Sequence, residues 1–143
     1  MYVIDASVWI SRFVRTDVNH SKSREWLASV LDSVPIVIGP ALVLPEVGGA
    51  VSRRTGRIAA AKEAIAELES LTGLELLPLD SEAASVAALI ASETRLRGGD
   101  AVYLSLAADM DWPLITWDRE LRDRGRAAAE VFFPDEIGRE SPP

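Results

Sequence analysis

The chain has 143 residues, a length typical of one domain, and its 48% hydrophobic and 26% charged residues are ordinary for a globular protein. It contains no cysteine, which excludes disulfides, thiolate metal sites and cysteine nucleophiles and favours a reducing, cytoplasmic environment. The longest apolar run, over residues 34–45, is too short to cross a membrane, because a span needs about 20 apolar residues. The net charge of −7 argues against a passive nucleic-acid-binding protein, which would carry a basic surface.

Five short apolar runs alternate with amphipathic stretches along the chain. We predict strands at Tyr2–Ile4, Ile36–Ile38, Leu74–Leu77, Leu114–Trp117 and Glu130–Phe133. The intervening stretches predict helices over 8–15, 21–33, 40–54, 58–71 and 80–96, then one from Asp100, after a break at Gly98-Gly99, and a short one from Asp118. This alternation indicates a three-layer α/β fold, with a central parallel sheet of five strands covered on both faces. We expect one domain over residues 1–137 and a disordered tail over 138–143.

Acidic residues follow the predicted strands. Asp5 ends the first strand, Asp118 ends the fourth, and Glu46 lies one turn into the helix after the second. Asp100 begins the helix that leads into the fourth strand. The carboxyl ends of parallel strands form the ligand-binding edge of an open α/β sheet. Four carboxylates that converge there repel one another unless a cation lies between them, and oxygen ligands of this kind suit Mg²⁺ or Mn²⁺.

Some of these residues also have a structural interpretation. Asp100, Asp118 and Ser7 stand at predicted helix starts, where Asp and Ser are favoured N-caps. Glu46 fits that interpretation less well because apolar and small residues surround it, and Asp5 directly follows a buried strand, where a charge needs a partner. Helix capping and a role in a site therefore remain alternatives for Asp100 and Asp118.

Four segments of the chain resemble, in order and spacing, the four acidic motifs of the PIN domain, and VapC-type toxin ribonucleases in particular. They are Val3-Ile4-Asp5-Ala6-Ser7, Pro45-Glu46-Val47, Gly99–Ala107 and Leu114–Asp118. The resemblance covers nearly the whole chain and implies a parallel sheet of order 3-2-1-4-5. It also implies an endoribonuclease dependent on Mg²⁺ or Mn²⁺, a homodimer, and a cognate antitoxin whose C-terminal segment enters the active-site groove.

The resemblance carries over residue by residue. It implies that four acids are catalytic: Asp5, Glu46, Asp100 and Asp118. It also implies that the three aspartates bind the metal ion, and that the hydroxyl groups of Ser7 and Thr116 support the acids. The chain departs from a regular helix pattern around Glu46, since Pro45 precedes it and Gly48-Gly49 follows it. These residues predict a stiff start and a weak continuation for the helix that carries Glu46.

Three arginines flank the predicted acids in the sequence: Arg97, Arg119 and Arg122. A guanidinium group binds phosphate through two hydrogen bonds, so these side chains are candidates to contact the backbone of an RNA substrate. Exposed helix faces also carry arginine for solubility alone, which is the alternative interpretation.

A small parallel sheet with an acidic edge also occurs in proteins of other functions. A phosphoacceptor receiver domain needs two adjacent acids after its first strand and a lysine after its fifth, whereas this chain has Asp5-Ala6-Ser7 and Phe133-Pro134. Two alternatives keep the fold: a stand-alone PIN ribonuclease without an antitoxin, and a catalytically degenerate PIN-like interaction module.

Overall fold

The structure is a computed structural model and describes residues 1–137; the predicted tail at 138–143 lies outside the described residues. Strands and helices alternate along this part of the chain. In order they are β1 (Tyr2–Ile4), α1 (Ala6–Phe13), α2 (His20–Ser33), β2 (Val37–Pro40), α3 (Val43–Thr55), α4 (Ile58–Ser70), β3 (Leu74–Leu77), α5 (Ser81–Thr94), α6 (Gly98–Met110), β4 (Leu114–Ile115), α7 (Arg119–Gly125) and β5 (Val131–Phe132), followed by a 3₁₀ turn (Pro134–Glu136). None of the helices within residues 1–137 is long and apolar enough to cross a membrane.

The five strands form one parallel sheet in the order β3-β2-β1-β4-β5, which confirms the predicted fold class and strand order. In the central strand β1, Val3 pairs with Ile38 of β2 on one side and with Leu114 of β4 on the other. The strand order reverses between β1 and β4, so their carboxyl ends lie side by side. In open α/β sheets this is the position at which ligands bind.

The core explains why the strands are almost continuously apolar. Val3 and Ile4 of β1 and Leu114 of β4 are fully buried, because helices cover both faces of the sheet. Trp9 of α1 and Tyr103 of α6 are also fully buried in the same apolar cluster. The end of β1 and the first turns of these helices therefore have a rigid support beneath them.

The start of α6 differs from the prediction. Gly98-Gly99 was expected to separate two helices, but these glycines form the first turn of α6. The break falls earlier: α5 ends at Thr94, Arg95 adopts a left-handed conformation (φ 58°), and extended Arg97 leads into α6. Asp100 is thus the third residue of its helix, and the interpretation of Asp100 as an N-cap is wrong.

The segment around Glu46 is a regular helix despite its proline and glycines. Pro40, which was predicted to start the helix, is the last residue of β2, and α3 begins at Val43. Pro45 lies in the first turn, where a missing N–H costs nothing. Gly48 faces α4, where an added Cβ would lie 2.8 Å from Cδ1 at the tip of the Ile65 side chain. Glu46 is consequently held on a well-packed helix.

Candidate active site

Asp5 lies at the end of β1, where its buried carboxylate accepts several hydrogen bonds. Its Oδ2 accepts from the Ser7 hydroxyl at 2.5 Å, from the Ser7 backbone N–H at 3.2 Å and from the Thr116 hydroxyl at 2.8 Å. Asp5 is the N-cap of α1, so Ser7 is a donor to the cap and not the cap itself. Since these donors use one oxygen, they fix the direction in which the other oxygen, Oδ1, points.

Thr116 connects Asp5 to Asp118 just beyond the end of β4. Its hydroxyl, which is completely buried, accepts a hydrogen bond from the backbone N–H of Asp118 at 2.9 Å while it donates to Asp5. The Ser7 hydroxyl in turn accepts from the backbone N–H of Trp117 at 2.9 Å. The strand was predicted to continue through Trp117 but ends at Ile115, which frees these residues to turn toward β1.

Asp118 uses its two carboxylate oxygens differently. Oδ1 accepts from the backbone N–H of Leu121 at 3.1 Å and caps α7, whereas Oδ2 lies 3.2 Å from Nη2 of Arg97. The capping interpretation is therefore correct for Asp118, and it does not exclude a role in the site. One oxygen caps the helix while the other contacts Arg97.

Arg97 forms a cationic bridge between two of the acids. Its Nε contacts Oδ2 of Asp100 at 3.2 Å, and its Nη2 contacts Oδ2 of Asp118. The arginine side chain is 77% exposed, so this bridge is in contact with water and contributes little to stability. It does show that a positive charge is accommodated between Asp100 and Asp118.

Glu46 projects from α3 and contacts α6. The hydroxyl of Tyr103 donates to its Oε2 at 2.5 Å. Tyr103 was not identified from the sequence as a site residue, although its position three residues after Asp100, inside an apolar helix, was a usable signal. A buried phenol needs a hydrogen-bond partner, and a nearby acid is a natural one.

The acids influence one another electrostatically. Burial raises the pKa of Asp5 above its ordinary value, and the charge of Asp100 raises it further, although hydrogen bonds from Ser7 and Thr116 oppose the shift. Burial also raises the pKa of Glu46, with smaller upward contributions from Asp5 and Asp100. The pKa of Asp100 is raised by burial first and by Asp118 as well, against the attraction of Arg97. Asp5, Glu46 and Asp100 are thus close enough for charge on one to raise the pKa of another, and the charge of Asp118 acts on Asp100.

The donor set of this site suits a hard divalent cation, although the side chains do not enclose one as they stand. Within residues 1–137, no group of three or more acidic or histidine side chains is drawn together tightly enough to surround an ion. The chemistry of the donors nevertheless fits, because several carboxylates face one sheet edge and Mg²⁺ and Mn²⁺ prefer oxygen ligands. The Arg97 guanidinium is the positive charge that lies between Asp100 and Asp118 in this arrangement.

The three arginines predicted near the acids have different environments. Arg97 contacts the acids, and Arg119 is exposed at the start of α7, directly after Asp118. Arg122 instead forms a two-pronged ion pair with Glu136, in which Nε lies 3.0 Å from Oε2, and its guanidinium lies over the ring of Phe133. The structure thus brings Arg97 to the site, leaves Arg119 beside it and ties Arg122 to the 3₁₀ turn.

Comparisons with known proteins agree with this architecture. The family model of the PIN domain matches residues 2–127. A search of curated proteins finds no match. Among solved structures, Mycobacterium tuberculosis VapC20, described as a toxin that cleaves the sarcin–ricin loop, is 20% identical with a TM-score of 0.76, covering 87% of this chain and 95% of its own.

Two further solved structures have the same fold at low sequence identity. FitAcB from Neisseria gonorrhoeae is 21% identical with a TM-score of 0.69 and covers 96% of this chain and 100% of its own. VapBC2 from Rickettsia felis, bound to a DNA fragment from its promoter, is 12% identical with a TM-score of 0.69 and covers 92% and 97%. These similarities show a shared fold, and because the family model spans most of the sequence, the chain belongs to the PIN domain family.

Proposed function

We propose that this protein is a metal-dependent endoribonuclease and the toxin of a type II toxin–antitoxin pair. The observation that supports the proposal is the group of four neighbouring acids, Asp5, Glu46, Asp100 and Asp118, near the point where the strand order reverses. Ser7 and Thr116 support this group by holding Asp5 in one orientation.

The carboxylates would hold Mg²⁺ or Mn²⁺ through Asp5, Asp100 and Asp118. When bound, the ion supplies Lewis-acid activation of a phosphate and of an attacking water. Glu46 is suited to accept a proton from that water at Oε1, because Tyr103 already occupies Oε2 and because a raised pKa makes the carboxylate a better base. Asp5 needs no reorientation, since the two hydroxyls fix it in advance.

Arg97 and Arg119 are the cations that we assign to the RNA phosphates. Arg97 contacts Asp100 and Asp118, two of the residues that would hold the metal ion, so its guanidinium would be available to a substrate phosphate when those carboxylates are engaged. Arg119 is exposed beside Asp118 and needs no such release. We leave Arg122 out of the proposed substrate contacts because it is already paired with Glu136.

The toxin assignment extends the proposal to partners. Of the solved structures with this fold, VapC20 is described as a toxin that cleaves the sarcin–ricin loop, and VapBC2 is bound to a DNA fragment from its promoter. We therefore propose a cytoplasmic homodimer that a cognate antitoxin inhibits by inserting a C-terminal segment beside the acids. A stand-alone PIN ribonuclease is the second candidate, and a degenerate interaction module is the third; the four acids disfavour the latter.

Cleavage assays with purified protein test this proposal. We expect the protein, freed of any inhibitor, to cut single-stranded or loop RNA in Mg²⁺ or Mn²⁺, and EDTA to stop it. Asp5→Asn is the matched control, since it removes the charge but keeps the size of the side chain. Cleavage that persists in EDTA contradicts the metal mechanism.

A growth assay separates the toxin from the stand-alone enzyme. We expect expression of the wild type to arrest growth, expression of Asp5→Asn to be harmless, and co-expression of a small reading frame adjacent to the gene to relieve the arrest. Harmless expression of a protein that cuts RNA in vitro favours the stand-alone enzyme.

A further inference from the structure

The Glu46 carboxylate lies against a single helix, α6: Oε2 is hydrogen-bonded to it, and Oε1 lies beside Gly99. Tyr103, whose side chain is fully buried, donates its hydroxyl proton to Oε2 at 2.5 Å. A fixed ring in a packed core leaves this hydroxyl little freedom, because core side chains occupy well-defined rotamers. The phenol therefore defines the position of one carboxylate oxygen.

Gly99 makes room for the other oxygen. A Cβ on Gly99 would lie 3.1 Å from Oε1 of Glu46, which is closer than ordinary van der Waals contact, and 3.9 Å from Cδ2 of Leu42. A Cβ on the preceding Gly98 would meet no atom within 4 Å. The close approach is thus specific to Gly99 and to the carboxylate, and it is not a general feature of this glycine pair.

Gly99 and Tyr103 are four residues apart, so they lie on the same face of α6. We infer that these two residues form a seat for the Glu46 carboxylate and act as positioning residues for the reaction. Tyr103 holds Oε2 from the core side, and the missing side chain of Gly99 admits Oε1. Asp100 directly follows Gly99, so the same turn that carries one acid of the site fixes the distance and direction to another.

The seat also orders the side chain of Glu46. Glu46 is on α3, which is far from α6 in sequence, and a glutamate side chain has several rotatable bonds that must be ordered before it can act on a fixed water. The inference rests on the proposed function, because positioning matters only if the carboxylate takes part in hydrolysis. The test below therefore includes a readout that needs neither metal nor RNA.

The matched pair Gly99→Ala and Gly98→Ala tests the close approach. Both substitutions add one methyl group to the first turn of the same helix and both favour helix formation over glycine. We expect Gly98→Ala to cleave RNA like the wild type and Gly99→Ala to lose about tenfold or more, as is typical when a supporting contact to a site ligand is disturbed. In a Glu46→Gln background, Gly99→Ala should cause little additional loss, since the two changes act on one unit.

Tyr103→Phe tests the hydroxyl, with Tyr2→Phe as its control, because these are the two tyrosines of the chain. The direct readout is the NMR signal of the Glu46 side-chain carboxyl carbon in metal-free protein, assigned by its disappearance in Glu46→Gln. We expect Tyr103→Phe and Gly99→Ala to move this signal, and Tyr2→Phe and Gly98→Ala to leave it in place.

The outcomes separate the seat from the function. The seat is overturned if Gly99→Ala matches Gly98→Ala in both the carbon signal and cleavage, or if Tyr103→Phe leaves the signal unmoved. It is also overturned if the loss in cleavage is undiminished in the Glu46→Gln background, because that result assigns a structural role that does not act through Glu46. A wild type that fails to cut RNA while the carbon signal moves as expected contradicts the proposed function and leaves the seat as a structural contact.

Discussion

The Thr116 hydroxyl donates to Oδ2 of Asp5 at 2.8 Å although the two residues are 111 positions apart in sequence. The same hydroxyl accepts the backbone N–H of Asp118, so one side chain sets the spacing between the acid after β1 and the acid after β4. In the proposed site, which depends on the placement of its carboxylates, this one hydroxyl group therefore fixes two of the acids relative to each other.

Thr116→Val should therefore damage both stability and function. Valine keeps the shape but leaves the Asp118 N–H and one Asp5 hydrogen-bond position unpaired in a buried place, at a cost of about 1–3 kcal/mol. Urea unfolding of the metal-free protein measures this cost. Thr116→Ser retains the hydroxyl and should recover cleavage; equal activity in the valine and serine variants would contradict the assigned role.

Substitutions of Asp118 distinguish its two oxygens. Asp118→Asn keeps a cap for α7 and should leave the stability of the metal-free protein nearly unchanged, while Asp118→Ala should lose about 1 kcal/mol. Both should lose cleavage and much of the increase in melting temperature that Mg²⁺ gives the wild type through binding linkage. If Asp118→Asn keeps the full Mg²⁺ increment and full cleavage, the residue is only a helix cap.

Asp100 should make the stability of the metal-free protein depend on pH. Its pKa is raised in the folded state above the ordinary 3.8, mainly by burial, so its charged form destabilises the fold. The contribution is absent below about pH 3.8 and develops as pH rises through the folded pKa. We expect Asp100→Asn, measured in EDTA, to gain stability over the wild type across that range and to hold the gain at neutral pH.

Asp109 is exposed and lies at the other end of α6. Asp109→Asn is therefore the control for that measurement, because it removes a charge from the same helix but away from Asp5, Glu46 and Asp118. An Asp100→Asn curve that runs parallel to the wild-type curve at every pH would show that burial and repulsion do not act on this carboxylate.

Arg119 and Arg122 should respond in opposite ways. Arg122 pairs with Glu136, whose pKa the pairing lowers below its ordinary value, so the pair stabilises the fold above that value and is lost in acid. Arg122→Gln should destabilise the protein by up to about 1 kcal/mol with little effect on RNA affinity.

Arg119→Gln should leave the melting temperature unchanged and weaken RNA binding, most clearly at low salt. Fluorescence anisotropy with a metal-free protein measures the affinity.

The sheet and its order were predictable because the strands are buried on both faces and read as short apolar runs, and because four acidic segments followed them in the order of the family motifs. The residues at which helices begin were not predictable in the same way. Gly98-Gly99 reads as a helix break, but left-handed Arg95 already provides the break, so the glycines are available for the first turn of α6. The sequence alone does not show whether Arg95 or Gly98-Gly99 marks the end of the helix.

The contacts of individual side chains could not be predicted from the sequence either. Arg122 and Arg97 look alike as arginines near predicted acids, and only the folded chain shows that one faces Glu136 and the other the site. The contact between Glu46 and Tyr103 joins two helices that are far apart in the chain, so it depends on the packing angle of α3 and α6 and not on any local pattern.

The pairing of β1 with β4 has a consequence for synthesis of the protein. β1 (Tyr2–Ile4) is synthesised well before its neighbour on the side of the acids, β4 (Leu114–Ile115). A nascent chain that has not yet been extended beyond β4 therefore holds Asp5 without Thr116 and Asp118. The proposed RNA-cleaving site lacks these residues until β4 and the turn that follows it have been made.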